Sequence, residues 1–462
     1  MAEKSAIPVE LGTEKIGRLL KQYALPAIIA QTASSLYNMV DSIFIGQGVG
    51  PLAISGLAVT FPLMNLSTAF GTLVGAGAAT MLSVLLGQKN YKAANKVLGN
   101  VVTLNILIGL IFMAVALIFI DPILYFFGAS ENTLPYAKEY ISIVLIGNVI
   151  THLYFGLNAA MRSSGSPKKA MGLTIFTVLF NTLLDPIFIF VFDMGIAGAA
   201  WATVIAQTAA LIVVMLHFNN KNRPFHFEKG IIRLDRRVAK DSLVIGMGPF
   251  LMNAAACLVT LFINQQLRRY SGDLGIGAYG ICNRFIFMFI MICMGLNQGM
   301  QPIAGYNYGA RQYSRVREVF WQTAKLATIM TTICFIIGVF IPKAAAGIFT
   351  HDAELLELSA RAMRLTTIMF PIVGFQMITT NFFQSLGMVK KSIILSLSRQ
   401  ILFLLPMLYL LPLWEGADGV WLSFPISDTL ATLLSIFMLG RLFKKFSQLK
   451  DGDDPTILGS HI

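Results

Sequence analysis

The sequence has few charged residues. Asp, Glu, Lys and Arg make up 13% of its 462 residues, hydrophobic residues make up 56%, and the mean hydropathy is +0.70. A soluble protein of this length needs far more charge to cover its surface. The composition therefore indicates an integral membrane protein.

Residues for metal binding and nucleophilic catalysis are also scarce. The chain has four Cys and five His, the Cys residues all fall in apolar runs without CxxC spacing, and the His residues are scattered. No Ser or Cys lies beside a base in the sequence, and the phosphate-binding pattern GxxxxGK[ST] is missing. We therefore expect no enzyme, no organic cofactor and no ATP-driven pump in this chain itself.

Long apolar runs occupy most of the chain. About twelve runs reach the length of roughly 20 residues that a helix needs to cross a bilayer. Their approximate limits are 18–45, 52–80, 97–120, 136–161, 167–192, 196–218, 240–267, 275–304, 318–341, 357–384, 391–413 and 417–441. The predicted fold class is an all-α polytopic membrane protein, because a helix pairs its own backbone groups in lipid.

The positive charge reports membrane orientation rather than nucleic-acid binding. The formal net charge is +12, but Lys and Arg are concentrated in every second loop and at both termini. This positive-inside pattern predicts a multi-pass protein of a prokaryotic plasma or inner membrane, with both termini in the cytoplasm. Anionic lipids of the surrounding bilayer are expected to be attracted to these loops.

The chain repeats itself at a distance of about 222 residues. GQKNYKAANKVL, which starts at Gly87, resembles GARQYSRVREVF, which starts at Gly309, and RSSGSPKKAM at Arg162 corresponds to QSLGMVKKSI at Gln384. Two pseudo-symmetric six-helix lobes are predicted, as in transporters that work by alternating access. The predicted parts are an N-terminal lobe 1–218, a cytoplasmic linker 219–239, a C-terminal lobe 240–445 and a cytoplasmic tail 446–462.

Three acids, Asp41, Asp185 and Asp428, fall inside apolar spans. A carboxylate at this depth costs on the order of 3 kcal/mol and is a functional hypothesis by default. Asn181 lies one helical turn before Asp185, and Pro186 removes a backbone N–H directly after it. This oxygen-rich group suits a hard cation or a proton. The alternatives are that Asp185 caps a broken helix and that Asp41 is an interfacial acid.

Other polar residues of the first half lie at similar depths. They are Tyr37, Tyr140, Asn158, Thr203 and Gln207. In the second half Asn264 takes the place of Asp41, and Phe403 falls opposite Asn181, so the coupling site is predicted in the N-terminal half. Asp428 aligns with Gln207, and two interpretations stay open: a functional acid, or a structural ion pair with Arg284 or Arg399.

Several segments together resemble the MATE (multidrug and toxic compound extrusion) family, in its MepA-like or DinF-like branch. They are PAIIAQTASSLYNMVDSIFIG, LNAAMRSSGSPKKA, NTLLDPIFIF, GIAGAAWATVIAQ and MQPIAGYNYGARQY. The resemblance implies a two-lobed secondary transporter, expected to be monomeric, that exports bulky and often cationic small molecules by antiport with Na⁺ or H⁺.

The resemblance also implies the members of the cation site. These would be Asp41, Asn181, Asp185, Thr203 and the backbone oxygen of Ala199, with the side chains as Na⁺ ligands if sodium is the coupling ion. Pro26 would mark a bend in the first helix. The alternative function is a flippase for lipid-linked saccharides from the same superfamily, for which Arg284, Arg361, Arg364 and Arg399 would supply a cationic cavity.

Overall fold

A computed structural model describes residues 10–221, 225–227 and 234–454, without the side chains of residues 37–39, 51 and 273. The described residues form helices and no strand. Parts of the predicted linker 219–239 and tail 446–462 lie outside these ranges.

The main helices follow one another with short connections. The first six are α1 (Ile16–Gly48), α2 (Pro51–Gly87), α3 (Tyr91–Ile118), α4 (Leu134–Ile146 with Asn148–Ser163), α5 (Pro167–Val191) and α6 (Gly195–Asn219). The next six are α7 (Arg236–Gly272), α8 (Leu274–Gly309), α9 (Tyr313–Phe340), α10 (Ala353–Thr367 with Phe370–Ser385), α11 (Val389–Glu415) and α12 (Ala417–Phe446).

Eleven of these elements have the length and composition of membrane spans. In the described part of the chain, nine do so as single helices, and α4 and α10 do so as bent pairs with angles of 53° and 55°. Helix α1 is outside that set, but its 33 residues extend about 50 Å and exceed a bilayer core of roughly 30 Å. With α1 the number equals the twelve spans predicted.

Two details differ from the predicted spans. The fourth and tenth spans are not straight, because each is interrupted by one or two residues between its halves. Helices α7 and α8 have almost no loop between them: only Gly272 departs from helical geometry, with φ 64° and ψ −155°. Such a left-handed break is tolerated there because glycine has no Cβ.

The 222-residue repeat is visible in the backbone. Helix α9 begins and ends 222 residues after α3, and the two bent helices recur at the same spacing. Left-handed residues recur as well: Lys89 and Arg311 both have φ 59°, although neither is glycine. The predicted two-lobed repeat is therefore confirmed at the level of individual turns.

The chain divides into two compact units that do not coincide with a single cut in the sequence. The first contains Ile29–Phe250, and the second contains Glu14–Ile28 together with residues from Leu251 onward. The predicted boundary at the linker 219–239 thus lies within the first unit. The start of α1 belongs to the second unit, and the start of α7 belongs to the first.

Glycines explain this division. In the first unit a Cβ at Gly77 of α2 would collide with the carbonyl of Ser242 in α7. In the second unit, 222 residues later, a Cβ at Gly299 of α8 would collide with the backbone of Ala24 in α1. The missing side chains let these helix pairs pack backbone against backbone.

Candidate functional site

The segment after α5's midpoint buries two polar side chains among apolar ones. Asn181 and Asp185 lie one turn apart, and Asp185 has no exposed surface. The helix does not stop at Pro186, which has helical φ and ψ, but widens into a π-helical turn over Ile187–Val191. Such turns are frequent at functional sites.

Asn181 connects α5 to α6. Its side-chain amide lies 3.1 Å from Asp185 Oδ2 and 3.2 Å from Thr203 Oγ1. The orientation that satisfies both neighbours has Nδ2 donating to Asp185, while Oδ1 accepts from the Thr203 hydroxyl and, at 2.9 Å, from the Thr203 backbone N–H. The amide therefore fixes one carboxylate oxygen against α6.

The Thr203 hydroxyl extends this group to the backbone of α6. Its Oγ1 lies 3.2 Å from the carbonyl oxygen of Ala199, one turn earlier. A hydroxyl has one proton and two lone pairs, so it serves only one of its two acceptors at a time. Amide, hydroxyl and carbonyl oxygens therefore lie beside the carboxylate, and all are ligands that hard cations prefer.

Helix α1 supplies the second acid. Asp41 is buried, and its charge acts on Asp185. Just beyond it, α1 packs closely on the π-helical turn, because a Cβ at Gly48 would collide with Ile189 and Phe190. Helices α1, α5 and α6 thus meet at one point within the first unit.

Each of the two acids keeps an oxygen without a hydrogen-bond partner. Oδ1 of Asp41 and Oδ1 of Asp185 are both buried and unpaired within the part of the chain that the structure describes. Leaving a buried charged group unpaired costs several kcal/mol, on the order of 3 or more. Two such carboxylates close together are stabilised by a proton or a metal cation that binds between them.

The remaining predicted residues of the first lobe are not all at this point. Tyr140 packs in an apolar cluster with Ile45 and Ala199 and is therefore adjacent. Gln207, one turn below Thr203, accepts a hydrogen bond from the Thr151 hydroxyl of α4. The side chain of Tyr37 lies outside the described residues.

Asn158 and Pro26 lie elsewhere. The Asn158 amide donates to Thr174 Oγ1 at 3.1 Å and to the Tyr154 hydroxyl at 3.4 Å. Thr174 is eleven residues before Asp185, or about 16 Å along α5, so Asn158 belongs to a separate polar cluster. Pro26 is inside α1 as predicted, but in the part of α1 that packs with the second unit.

In the second unit, Asp428 has a fixed partner. Arg399 Nε donates to Asp428 Oδ1 at 2.7 Å, and the acid is almost fully buried. Of the two arginines considered from sequence, Arg399 is therefore the partner, whereas Arg284 is exposed. Asn264 is half-buried on α7.

Sequence reasoning missed Thr151 and its neighbours. Thr151 follows the break of α4 at Gly147, and next to it His152 is fully buried, 2.9 Å from the carbonyl of Ser67 in α2. Asn148 accepts a hydrogen bond from the Ser67 hydroxyl in the same cluster. The available signal was the run Gly147 to His152, which is unusually polar for the middle of a span.

The fold and this constellation define a class: a helical, multi-pass membrane transporter with two repeated lobes. The MatE family model matches residues 26–187 and 249–410, more than half of the chain, once in each repeat. The chain belongs to the MATE family of membrane transporters.

Known proteins of the family resemble the chain over nearly its whole length. The multidrug export protein MepA of Staphylococcus aureus (strain MRSA252) is 27% identical over 439 residues, covering 94% of this chain and 97% of MepA. A ligand complex of the MATE multidrug transporter DinF-BH is 35% identical, covers 97% of this chain and all of that one, and superposes with a TM-score of 0.88. A MATE family transporter in an outward-facing conformation has the same fold, with a TM-score of 0.89 over 97% of this chain and all of that one at 23% identity.

Proposed function

We propose that this protein is a secondary active multidrug exporter, which moves bulky and often cationic small molecules outward by antiport with Na⁺ or H⁺. The observation that carries the coupling is the pair of buried acids, Asp41 and Asp185, each with an unpaired oxygen. The names of MepA and DinF-BH support small-molecule drugs as the substrate class.

The proposed mechanism follows from electrostatics. With no cation bound, Asp41 and Asp185 repel each other in a poorly solvated place, and a proton or Na⁺ relieves that repulsion. The two cations therefore compete for the same oxygens. Because Asp41 is on α1 and its partners are on α5 and α6, binding draws these helices together. A cation that binds one arrangement of the helices better shifts the population toward it.

Orientation and assembly are part of the same proposal. The distribution of Lys and Arg supports a plasma-membrane protein with both termini in the cytoplasm. A cation that enters from outside then binds from the side on which the drug is released. We propose a monomer as the working unit, because the coupling group is complete within the first unit of one chain.

The saccharide-lipid flippase has less support from the arginines that would serve it. Arg399 is bound to Asp428, and Arg361 forms an ion pair with Asp418. Arg284 and Arg364 are exposed. A pyrophosphate head group would need such side chains unpaired and converging on one cavity, and two of the four already have carboxylate partners.

The test is transport by purified protein in liposomes. Efflux of the cationic dye ethidium is recorded under an imposed Na⁺ gradient and, separately, under an imposed pH gradient, with protein-free liposomes as the baseline. Export driven by either gradient supports the proposal and names the coupling ion. If neither gradient moves ethidium or other cationic dyes, the proposal fails and a lipid-linked saccharide becomes the substrate to test.

A further inference from the structure

The first unit has an apolar groove far from the two acids. A cavity of about 380 Å³ lies where the end of α4, the start of α5 and the end of α6 meet. Met161 and Leu173 form its buried floor, whereas Phe176 and Val213 stand beside it with 41% and 48% of their surface exposed. Its volume is within the range of roughly 300–1,000 Å³ that is typical of small-ligand pockets.

Basic side chains are found at one end of this groove only. Lys169, two residues after α5 begins, is exposed, and His217 is in the last turn of α6. Within the described residues Lys169 forms no ion pair. This end faces the side of the membrane that carries the basic loops.

The opposite end continues into an apolar surface. Phe176, Leu179 and Leu183 follow one another on one face of α5, and the last two are exposed by 59% and 65%. Phe176 is seven residues beyond Lys169, so it lies about 10 Å deeper in the membrane. The groove thus combines one charged end at head-group level with an apolar path at acyl-chain level.

We propose that this groove is a binding site for one anionic phospholipid of the cytoplasmic leaflet. Its phosphate would lie against Lys169, and an acyl chain would pack between Phe176 and Val213. Charge complementarity favours an anionic lipid, because a basic residue near the surface attracts it by about a factor of five. A cationic drug would be repelled at the same end.

This site is distinct from the proposed coupling site. Asp185 is sixteen residues beyond Lys169, or about 24 Å along α5. Lipid binding and cation coupling can therefore fail independently, and each has its own test.

The first variant fills the groove. A Cβ at Gly172 would meet no atom within 4 Å, so Gly172→Leu places a side chain in the groove without disturbing the helices. The matched control is Gly440→Leu on α12, where a Cβ also meets nothing within 4 Å. Gly440 is likewise exposed and next to a basic residue, Arg441, but no groove is described there.

Binding is measured by native mass spectrometry of the detergent-purified protein during titration with dioleoyl phosphatidylglycerol. We expect one lipid to be retained preferentially by wild type and by Gly440→Leu, and at least tenfold weaker retention by Gly172→Leu. Equal retention by Gly172→Leu and Gly440→Leu would overturn the proposal.

The second variant tests the charge. Lys169→Gln keeps the groove open, and we expect it to reduce the preference for phosphatidylglycerol over phosphatidylcholine about fivefold. An unchanged preference would overturn the proposal even if Gly172→Leu did not fold. Inorganic phosphate is added as a competitor at the same time. Displacement of the lipid by phosphate alone would indicate a simple anion site and would also overturn it.

Discussion

The two units both bury acidic side chains, but they balance the charge in different ways. In the second unit Arg399 of α11 neutralises Asp428 of α12. In the first unit Asp41 and Asp185 lie close together, and no basic partner is described for either one. One unit thus has its counter-charge built into the chain, whereas the other is arranged for a counter-charge that comes and goes.

The repeat makes this comparison specific. The residue 222 positions before Arg399 is Thr177, and Asp428 aligns with Gln207, so the first unit has neutral polar groups where the second has its ion pair. Conversely, Phe403 and Met407 stand where the first unit has Asn181 and Asp185. Duplication therefore preserved the helices while the polar groups diverged.

The largest effect is expected from Asp185→Asn. Losing a group that merely supports a metal ligand costs about 10- to 100-fold in affinity, so losing a ligand itself should reduce gradient-driven ethidium export to the rate of empty liposomes. The folded protein should be as stable as wild type or more so, because an uncompensated buried charge is removed.

The matched control for this variant is Asp193→Asn, an identical chemical change eight residues later at an exposed position. Asn tolerates the left-handed backbone of residue 193, where φ is 53°. Export at the wild-type rate in Asp185→Asn would remove Asp185 from the coupling role.

Breaking the ion pair of the second unit should affect stability rather than coupling. Asp428→Asn leaves the Arg399 guanidinium without its counter-charge, and we expect a loss of about 3 kcal/mol in unfolding free energy, at the lower end of the range because Arg399 is partly exposed. The double variant Arg399→Leu with Asp428→Leu should recover most of it. Denaturation of the detergent-purified proteins measures both values.

The same variants also address the asymmetry between units. Asp428→Asn protein that still folds should respond to the same ion gradient as wild type. Loss of ion-driven export in folded Asp428→Asn protein would show that the second unit takes part in coupling.

A smaller effect is expected at the contact between α4 and α6. Thr151→Val and Gln207→Leu each remove one partner of a side-chain hydrogen bond next to the coupling group. In a double-mutant cycle the two changes should show a coupling energy of about 1 kcal/mol in stability. Strictly additive effects would mean that the hydrogen bond contributes nothing to the fold.

The smallest effect concerns pH and the start of α7. The hydrogen bond from Lys96, together with backbone N–H groups of Val238 and Arg237, lowers the pKa of Asp235 below its usual value. A lowered folded-state pKa adds stability above the unfolded value of about 3.9, and this stability is lost as the pH falls below it.

We therefore expect Asp235→Asn to shift the melting temperature slightly near neutral pH and not at all below about pH 3. Asn retains the helix cap, so only the ionic part changes. Melting curves between neutral and acidic pH check this, with Asp241→Asn, a half-buried acid further along α7, as the control. A shift that is equal at every pH would contradict the assignment.

Much of the fold was open to prediction because its signals are local. Apolar runs indicated the spans, and the motifs at Gly87 and Gly309 revealed the repeat, since each contains the same left-handed turn, at Lys89 and Arg311. The bends in α4 and α10 were not predicted. The apolar pattern continues through both breaks, so nothing in the sequence separates a bent span from a straight one.

The candidate site was predictable where its partners share one helix. Asn181 and Asp185 are four residues apart, and that spacing alone places them together. Contacts between helices were harder, because depth in the membrane does not fix the direction in which a side chain points. Asn158 therefore has its partners in a separate cluster, and Thr151 was not recognised as the partner of Gln207.

The most direct test is to observe the carboxyl groups themselves during ion exchange. Infrared difference spectra of the purified protein, recorded on addition of Na⁺ or on a change of pH, report which carboxyl groups change their protonation or ligation. We predict carboxyl signals that disappear in Asp41→Asn and in Asp185→Asn and persist in Asp428→Asn and Asp193→Asn. Signals that survive in Asp185→Asn, or that vanish in folded Asp428→Asn, would contradict the assignment of the exchangeable cation to the first unit.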